Sequence, residues 1–387
     1  MKQGWEIKRL DDACKVEYGT RVVQKKDGGT VYPVYGGGGA TFFMDTFNRE
    51  DCLVVARFAM SAQCTRFVEG KFFLNDSGLT VRPKNDKELL PDFLNLQMFF
   101  LNDHIYSLAR GTAQRNLDVP AFRNIQIAYP KSIQEQQRIV SILDEAFAAI
   151  EKAKVNAEHN LKNAKELFES YLQGVFENGN WEKKKWGELC DFVRGPFGGS
   201  LKKNVFKESG YVVYEQKHAI HDHFNQLRYF IDEQKFNEMK RFEVFPGDII
   251  MSCSGVTLGR VAVVPEGIPK GIINQALLKL TPKKNVSVHF IKHWLRSSIF
   301  QKIIFDYSGG AAIPNVPSAK ILKDIKIPYP SLKEQERIVC EIETVLNETK
   351  RLEEIYQNKI DDLDELKKSI LQKAFAGELK TEKAVAV

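Results

Sequence analysis

Asp51, Glu69 and Lys71 have the order and spacing of a metal-dependent nuclease site. Two carboxylates with a lysine two residues beyond the second could hold a divalent cation and activate water. His218, His221 and His223, close together in "HAIHDHF", could offer imidazoles to a metal. The chain carries its own control on the first motif. Asp248 is likewise followed eighteen residues later by Glu266-Gly267, but Ile268 stands where the lysine should be. What the two stretches share is a strand, a loop, a strand and an E-G turn, so Asp51 and Glu69 read as hairpin architecture. The histidines have no counterpart in the first half, and no cysteine or acidic partner set lies nearby, so no metal is assigned. Other chemistry lacks its signature. No glycine-rich loop has P-loop or dinucleotide spacing, there is no N/D-P-P-Y/F tetrad and no GxSxG elbow, and the six cysteines show no CxxC pairs.

The remaining polar candidates suit a charged polymer. Four glycines, Gly36, Gly37, Gly38 and Gly39, separate two apolar runs and permit either a close backbone approach or a sharp turn. Arg57, Arg66, Lys71, Arg110, Gln114 and Arg115 fall in or beside loops of the first half. Lys202, Lys203, Lys217, His218, Ser254, Arg260, Lys270 and Asn315 do so in the second. A rigidly held arginine can grip guanine with two hydrogen bonds, and lysine serves phosphate as a point charge. Formal net charge is only +6, but it is unevenly spread. Residues 1–132 hold 18 basic against 15 acidic side chains and residues 178–331 hold 23 against 14, whereas residues 133–177 and 332–380 are each net acidic. The positive excess sits in two blocks, as expected if those blocks meet phosphates.

These blocks belong to a tandem repeat. "GWEIKRLDDAC" (4–14) matches "NWEKKKWGELC" (180–190), "DCLVVAR" matches "DIIMSCS", "LNDSGLTVRPKN" matches "INQALLKLTPKKN", and "GTAQRNL" matches "GAAIPNV". "YPKSIQEQQRIV" (129–140) matches "YPSLKEQERIV" (329–339), and "LFESYLQGVF" matches "LKKSILQKAF". Tyr-Pro favours extended backbone, and Ser132 with Glu135, like Ser331 with Glu334, spells a capping box, so a helix starts at each place. Leu143, Ile150, Ala157, Ala164 and Tyr171 then recur every seven residues, as do Ile342, Thr349, Tyr356, Leu363 and Ile370, with Val345, Leu352 and Leu366 on the adjoining face. About 45 residues at 1.5 Å each make a rod of roughly 65–70 Å, and one narrow apolar stripe on such a rod needs a partner. The other rod is the economical one, and the connectivity makes the pair antiparallel.

The expected organisation is a globular domain at 1–131, a long helix at 132–178, a second globular domain at 179–330, a second long helix at 331–380 and a tail at 381–387. Each globular block alternates short apolar runs with turn signals and has one substantial helix, "PDFLNLQMFFLNDHIYSLA" or "SVHFIKHWLRSSIFQKII". The fold class is mixed α/β (α+β), with an intramolecular coiled coil and pseudo-two-fold symmetry. No run approaches the roughly 20 apolar residues of a membrane span, and "MKQGWEIKRL" has no apolar signal core, so a cytoplasmic protein without membrane contact is expected.

In this order and duplication, the quoted stretches, with "YGGGG" and the terminal "QKAFAGEL", resemble the specificity subunit of type I restriction-modification systems over nearly all 387 residues. Arg115 departs from the resemblance, since the second half has Pro314 in "IPN". The resemblance implies a non-catalytic subunit on double-stranded DNA, each globular domain reading one half of a bipartite, asymmetric site. The helices would set the spacing and dock two methyltransferase subunits. Gln136, Arg138, Gln335, Glu336 and Arg337 are expected at those contacts. S-adenosylmethionine, ATP and Mg2+ would serve the methyltransferase and the motor-nuclease subunits, with no cofactor in this chain. A duplicated protein-interaction scaffold and a nuclease built on Asp51 and Glu69 are the alternatives.

Overall fold

The computed structural model describes residues 4–197, 199–255, 257–307 and 315–379, so Pro314 and the 381–387 tail lie outside the described residues. In each half the first and last short segments close on one another. Strand Trp5–Arg9 runs antiparallel to Gln126–Pro130, with Trp5 opposite Pro130, and Lys183–Lys185 pairs in the same way with Lys326–Pro328. The repeated tryptophan opening and the repeated Tyr-Pro are thus two edges of one ribbon, which delivers the chain to the start of each long helix.

Between these edges the first block builds a six-stranded sheet in the order Cys14–Tyr18, Gly78–Pro83, Arg49–Ala56, Thr65–Leu74, Tyr32–Tyr35, Ala40–Met44. The sheet is strongly curled. Leu74 is bonded to Asn48 before one end of Arg49–Ala56, while Gly78 pairs with Ala56 at the other. Four residue steps reach about 14 Å, but a strand of that length spans about 23 Å, so the strand must bend. A register shift at Asp51 supplies part of the bend. The second block splits the same parts into a four-stranded sheet, Cys190–Arg194, Leu277–Pro282, Ile249–Ser252, Val261–Val263, and a three-stranded one, Phe230–Ile231, Tyr211–Tyr214, Gly271–Ile273.

The helix expected in each block is two helices. Pro91–Phe100 and Asn102–Ser107 meet at Leu101, and Val288–Arg296 and Ser298–Tyr307 meet at Ser297. Side chains at each joint do other work. Asn102 accepts the amides of Cys64 and Thr65, and the Ser297 hydroxyl donates to Trp294 O and caps Phe300 N.

The long helices span Ile133–Asn178 and Leu332–Phe375. Ser132 Oγ accepts Glu135 N and Ser331 Oγ accepts Glu334 N, both at 3.3 Å, while the glutamates clasp Arg138 and Arg337. Gln136 and Gln335, expected on the surface, are fully buried. The Gln136 carboxamide oxygen accepts Leu90 N at 2.8 Å, and its nitrogen donates to Glu88 O at 2.8 Å and Pro130 O at 2.7 Å. Gln335 repeats this with Ser287 N, Asn285 O and Pro330 O. These glutamines therefore sew each helix start to its block, because the carboxamide supplies both the donors and the acceptor that buried backbone ends require.

Contacts divide the chain into two units, residues up to 158 with those from 357 onward, and residues 159–356. Each holds one globular block and a stretch of both long helices. In the first unit Lys154 pairs with Asp364 at 2.7 Å and Lys367 lies over the Phe147 ring, so the helix stretches are antiparallel. Phe375 closes the core there, edge-on to Phe93, which in turn meets Trp5. In the second unit Phe176 does the same against Phe290, which meets Trp181. Each block is thus completed by the end of the helix that started from the other half of the repeat. Leu143, Ile150, Ala157, Ala164, Ile342 and Thr349 are buried as the heptads predict, but Leu366 is exposed and the seam ends instead on Leu371 and Ala374.

Replacing Gln335 with Met leaves the half-buried Ser287 N–H and the buried Pro330 C=O without this partner, and should remove about 2–4 kcal/mol in urea unfolding, against less than about 0.5 kcal/mol for the exposed Glu336→Ala. Equal effects would remove the glutamine from its anchoring role. Burial also drives the His293 imidazole down to about 3, with Lys292 and Arg296 acting in the same direction. The unfolded chain then takes up a proton below pH ~6.5 that the folded chain refuses, so stability is complete above that pH and falls by up to about 1.4 kcal/mol per pH unit as the medium is acidified toward 4. His293→Gln should flatten that slope in unfolding measured across the range.

Candidate nucleic-acid interface

The strand Cys14–Tyr18 ends at Gly19, where a Cβ would lie 1.9 Å from Asn75 O. Gly195, after Cys190–Arg194, meets Asn274 O at the same 1.9 Å. Only glycine lets the chain pass there. Beyond this shared crossing, five segments of the first unit are laced together by backbone bonds. Thr20 N donates to Leu74 O, Asn75 N to Tyr35 O, Arg57 N to Ser77 O, Leu117 N to Arg57 O and Met60 N to Arg115 O, all at 2.8–2.9 Å. The second unit repeats the lacing, with Gly195 N to Leu277 O, Asn274 N to Tyr214 O, Cys253 N to Ala276 O and Val316 N to Cys253 O. Asn75 and Asn274 each accept the amide two residues on, fixing the turn between them.

In the first unit this frame gathers Gly36, Gly37, Gly38, Gly39, Arg57, Arg66, Arg110, Gln114 and Arg115. Their duties differ. Arg66 donates to the carbonyls of Gly37, at 2.8 Å, and Gly38, so its guanidinium props the glycine loop. Gly36 and Gly37 are packed against Ser77 and Phe58, whereas Gly38 and Gly39 face open space. Arg57 donates to Asp76 O at 3.1 Å and lies 4.8 Å from the Tyr18 ring and 4.4 Å from that of Phe58. Arg110 pairs with Asp118 yet stays 82% exposed. Arg115 reaches outward, steadied 5.0 Å from the Tyr106 ring, and Gln114 beside it is exposed. A guanidinium held flat against a ring keeps its edge free for a base or phosphate.

The second unit brings Ser254, Arg260 and Asn315 to the equivalent place, where Ser254 bridges Asn315 and Arg260 is exposed. Ser254 is held by Gln216, a residue that belongs to no motif of the sequence. Its amide donates to Ser252 Oγ at 2.9 Å and Ser254 O at 3.0 Å. The signal was available, because aligning "VVYEQ" with "PVYGG" puts Gln216 where the first half has Gly37. Lys202 and Lys203 are exposed at a short 3-10 turn, and Lys217 is 3.4 Å from Glu215.

Two of the expected contacts, His218 and Lys270, belong elsewhere. His218 is fully buried, bonded through Nδ1 to Glu215 N at 2.9 Å and stacked on Phe224, and burial lowers its basicity. Lys71, three residues before the laced Leu74 on the same strand, lies over Phe47 opposite Glu50. Lys270 pairs with Glu243 before Gly271–Ile273, at the end of that strand remote from Asn274.

Asp51 Oδ1 accepts Gly70 N at 2.6 Å, which makes it a clasp across the bulge. Glu69 and Gly70 lie inside Thr65–Leu74, not in a turn, whereas Glu266-Gly267 does form a turn. His221 and His223 stack on one another, so the three histidines do not converge, and among the described residues no three ligating side chains gather for a metal. Burial drives the Cys14, Cys190 and Cys253 thiols up to about 12, leaving them as core residues.

A family profile described as the type I restriction modification DNA specificity domain matches residues 2–159 and 178–361. The chain belongs to that family. Its relatives include the MjaVIII specificity subunit of Methanocaldococcus jannaschii, 23% identical across 80% of this chain and 76% of the relative. The EcoBI specificity subunit of Escherichia coli is 31% identical over 41% of this chain and 32% of its own. Among solved structures, a chain from a study of assembly and conformational transition of the type I R-M system matches 98% of this chain and 99% of its own, with a TM-score of 0.77 at 19% identity. The HsdS subunit of Thermoanaerobacter tengcongensis matches with a TM-score of 0.60 over 98% of each chain, also at 19% identity. The chain is therefore a DNA sequence-recognition subunit, and the nuclease and scaffold alternatives find no support. Among the described residues no helix is long and apolar enough to cross a membrane.

At the helix starts, burial removes Gln136 and Gln335 from the expected partner contacts. Arg138 is half-buried against Glu135, which leaves Glu336 and Arg337 as the outward groups there.

Arg115→Ala should weaken binding to the chain's own duplex by about 5- to 100-fold with an unchanged unfolding midpoint, as expected for one lost base or phosphate grip. Arg66→Ala should lower the midpoint as well. Titration of a labelled duplex alongside thermal unfolding separates the two, and an unaltered Arg115→Ala titration would take the 111–116 segment out of the interface.

Proposed function

We propose that each unit reads one half of a bipartite, asymmetric duplex site, and that the long helices hold the two readers at a set spacing and dock two methyltransferase subunits. The observation carrying this reading is the doubled frame. Both units lace the same segments through Gly19 and Asn75 or Gly195 and Asn274, yet present different outward side chains, arginines in one and a Gln216, Ser254 and Asn315 network in the other. One scaffold with two surfaces suits two unlike half-sites. The excess of basic residues in residues 1–132 and 178–331 fits phosphate contact.

In this reading the chain has no reaction of its own. Its partners supply S-adenosylmethionine-dependent methylation of an adenine drawn from the stack, and motor-nuclease subunits with ATP and Mg2+ complete the restriction enzyme in the cytoplasm. Joining two readers through stiff helices makes the second contact intramolecular, so neither need bind tightly alone.

Exchanging residues 1–131 for the corresponding block of another family member should change one half-site and leave the other, as read by sequencing methylated bases in cells that make the chain with its methyltransferase. A change in both halves would contradict the assignment of one reader to each unit.

A further inference from the structure

Phe197 is 92% exposed, and no other large apolar side chain among the described residues passes 57%. Its loop is nonetheless anchored on both sides. Gly195 is wedged against Asn274 O and donates to Leu277 O, Pro196 is buried, Ser200 N donates to Phe197 O at 2.8 Å, and Leu201 enters the core with Val213, Ile231 and Phe236. The ring stands two residues beyond the glycine crossing of the interface. Between Asp191 and Glu208 there is no acidic residue, and Arg194, Lys202 and Lys203, all exposed, flank Phe197 along the chain. The first unit has the same loop with another tip. Two residues beyond Gly19 stands Arg21, exposed, with Lys25 and Lys26 following as Lys202 and Lys203 follow Phe197.

A bare phenyl ring in a stretch that is basic and free of acidic residues matches one feature of duplex DNA above others, the apolar face between two stacked base pairs beneath a phosphate rail. Apolar side chains enter such steps and partly unstack them while cations hold the backbone. We propose that Phe197 is a wedge that inserts between base pairs of the half-site read by residues 179–330, with Lys202 and Lys203 on the flanking phosphates, whereas Arg21 keeps the first unit's loop in a groove without opening the stack. The proposal rests on the reading of the chain as a DNA-recognition subunit and adds a residue and a mode of contact to it.

The test uses the full chain assembled with its methyltransferase partner and a duplex carrying the site found by sequencing methylated bases, with 2-aminopurine placed step by step through each half-site. Besides the rise at the adenine that the methyltransferase draws out, binding should raise fluorescence at one further step of the second half-site. Phe197→Ala should abolish that further rise and weaken binding about 10- to 100-fold with an unchanged unfolding midpoint, and Phe197→Trp should restore both. Lys202→Ala should lessen the salt dependence of binding by about one phosphate contact and leave the fluorescence rise in place. A Phe197→Ala complex with wild-type affinity and fluorescence overturns the wedge, as does loss of the methyltransferase with DNA contact intact, which would make Phe197 a protein contact. A wild-type assembly that binds no duplex at all would instead overturn the reading beneath it.

Discussion

A single buried carboxamide at each helix start sets the geometry on which the rest depends. A long helix leaving a globular block presents orphan amides and carbonyls where the chain is desolvated, and a group with two donors and an acceptor can satisfy several of them together. Gln136 joins Leu90, Glu88 and Pro130, and Gln335 joins Ser287, Asn285 and Pro330. Each ties the ribbon edge, the entry to the block's helix and the long helix at one point, which fixes the direction in which the rod leaves.

The far ends of the rods are fixed by aromatic packing. Phe375 stacks on Phe100 and meets Phe93, and Phe176 meets Phe290 and Trp294. Each block takes Ile139 and Leu143, or Ile338 and Ile342, from the start of its own helix into its core, and the end of the other helix adds Leu371 and Ala374, or Leu172 and Phe176. The folding of each unit therefore requires both long helices, and antiparallel pairing follows from core completion in addition to the heptad seam. The ion pair of Lys154 with Asp364 is exposed and adds register more than stability.

Most of this architecture was legible because the chain is written twice. The capping serines, the heptads through Ala164 and the paired openings have local signals of the right period, and the duplication of Asp248 without a lysine exposed Asp51 as architecture. Three kinds of feature escaped. Gln136 looked like surface because a polar residue in a charged run is normally solvated, and nothing local reports three backbone groups brought from distant positions. The breaks at Leu101 and Ser297 follow from side chains recruited by other segments, which periodicity does not register. His218 sat in a polar stretch, yet its place at the third position of a short helix turned it into the cap of Glu215 and into the core.

Of the site, the loops were legible and the roles were not. Arg57, Arg66 and Arg115 are one residue type in one region, but backbone carbonyls occupy Arg66, a carbonyl and two rings share Arg57, and Arg115 is exposed and steadied by one aromatic ring. The division follows from the frame itself. Lacing five segments by main-chain bonds places few demands on side chains beyond the crossing glycine and the turn asparagine, so the tips can carry arginine, glutamine or phenylalanine without disturbing the fold. A reader built this way can change what it recognises while keeping how it is held, and two copies in one chain can come to present unlike surfaces on the same backbone.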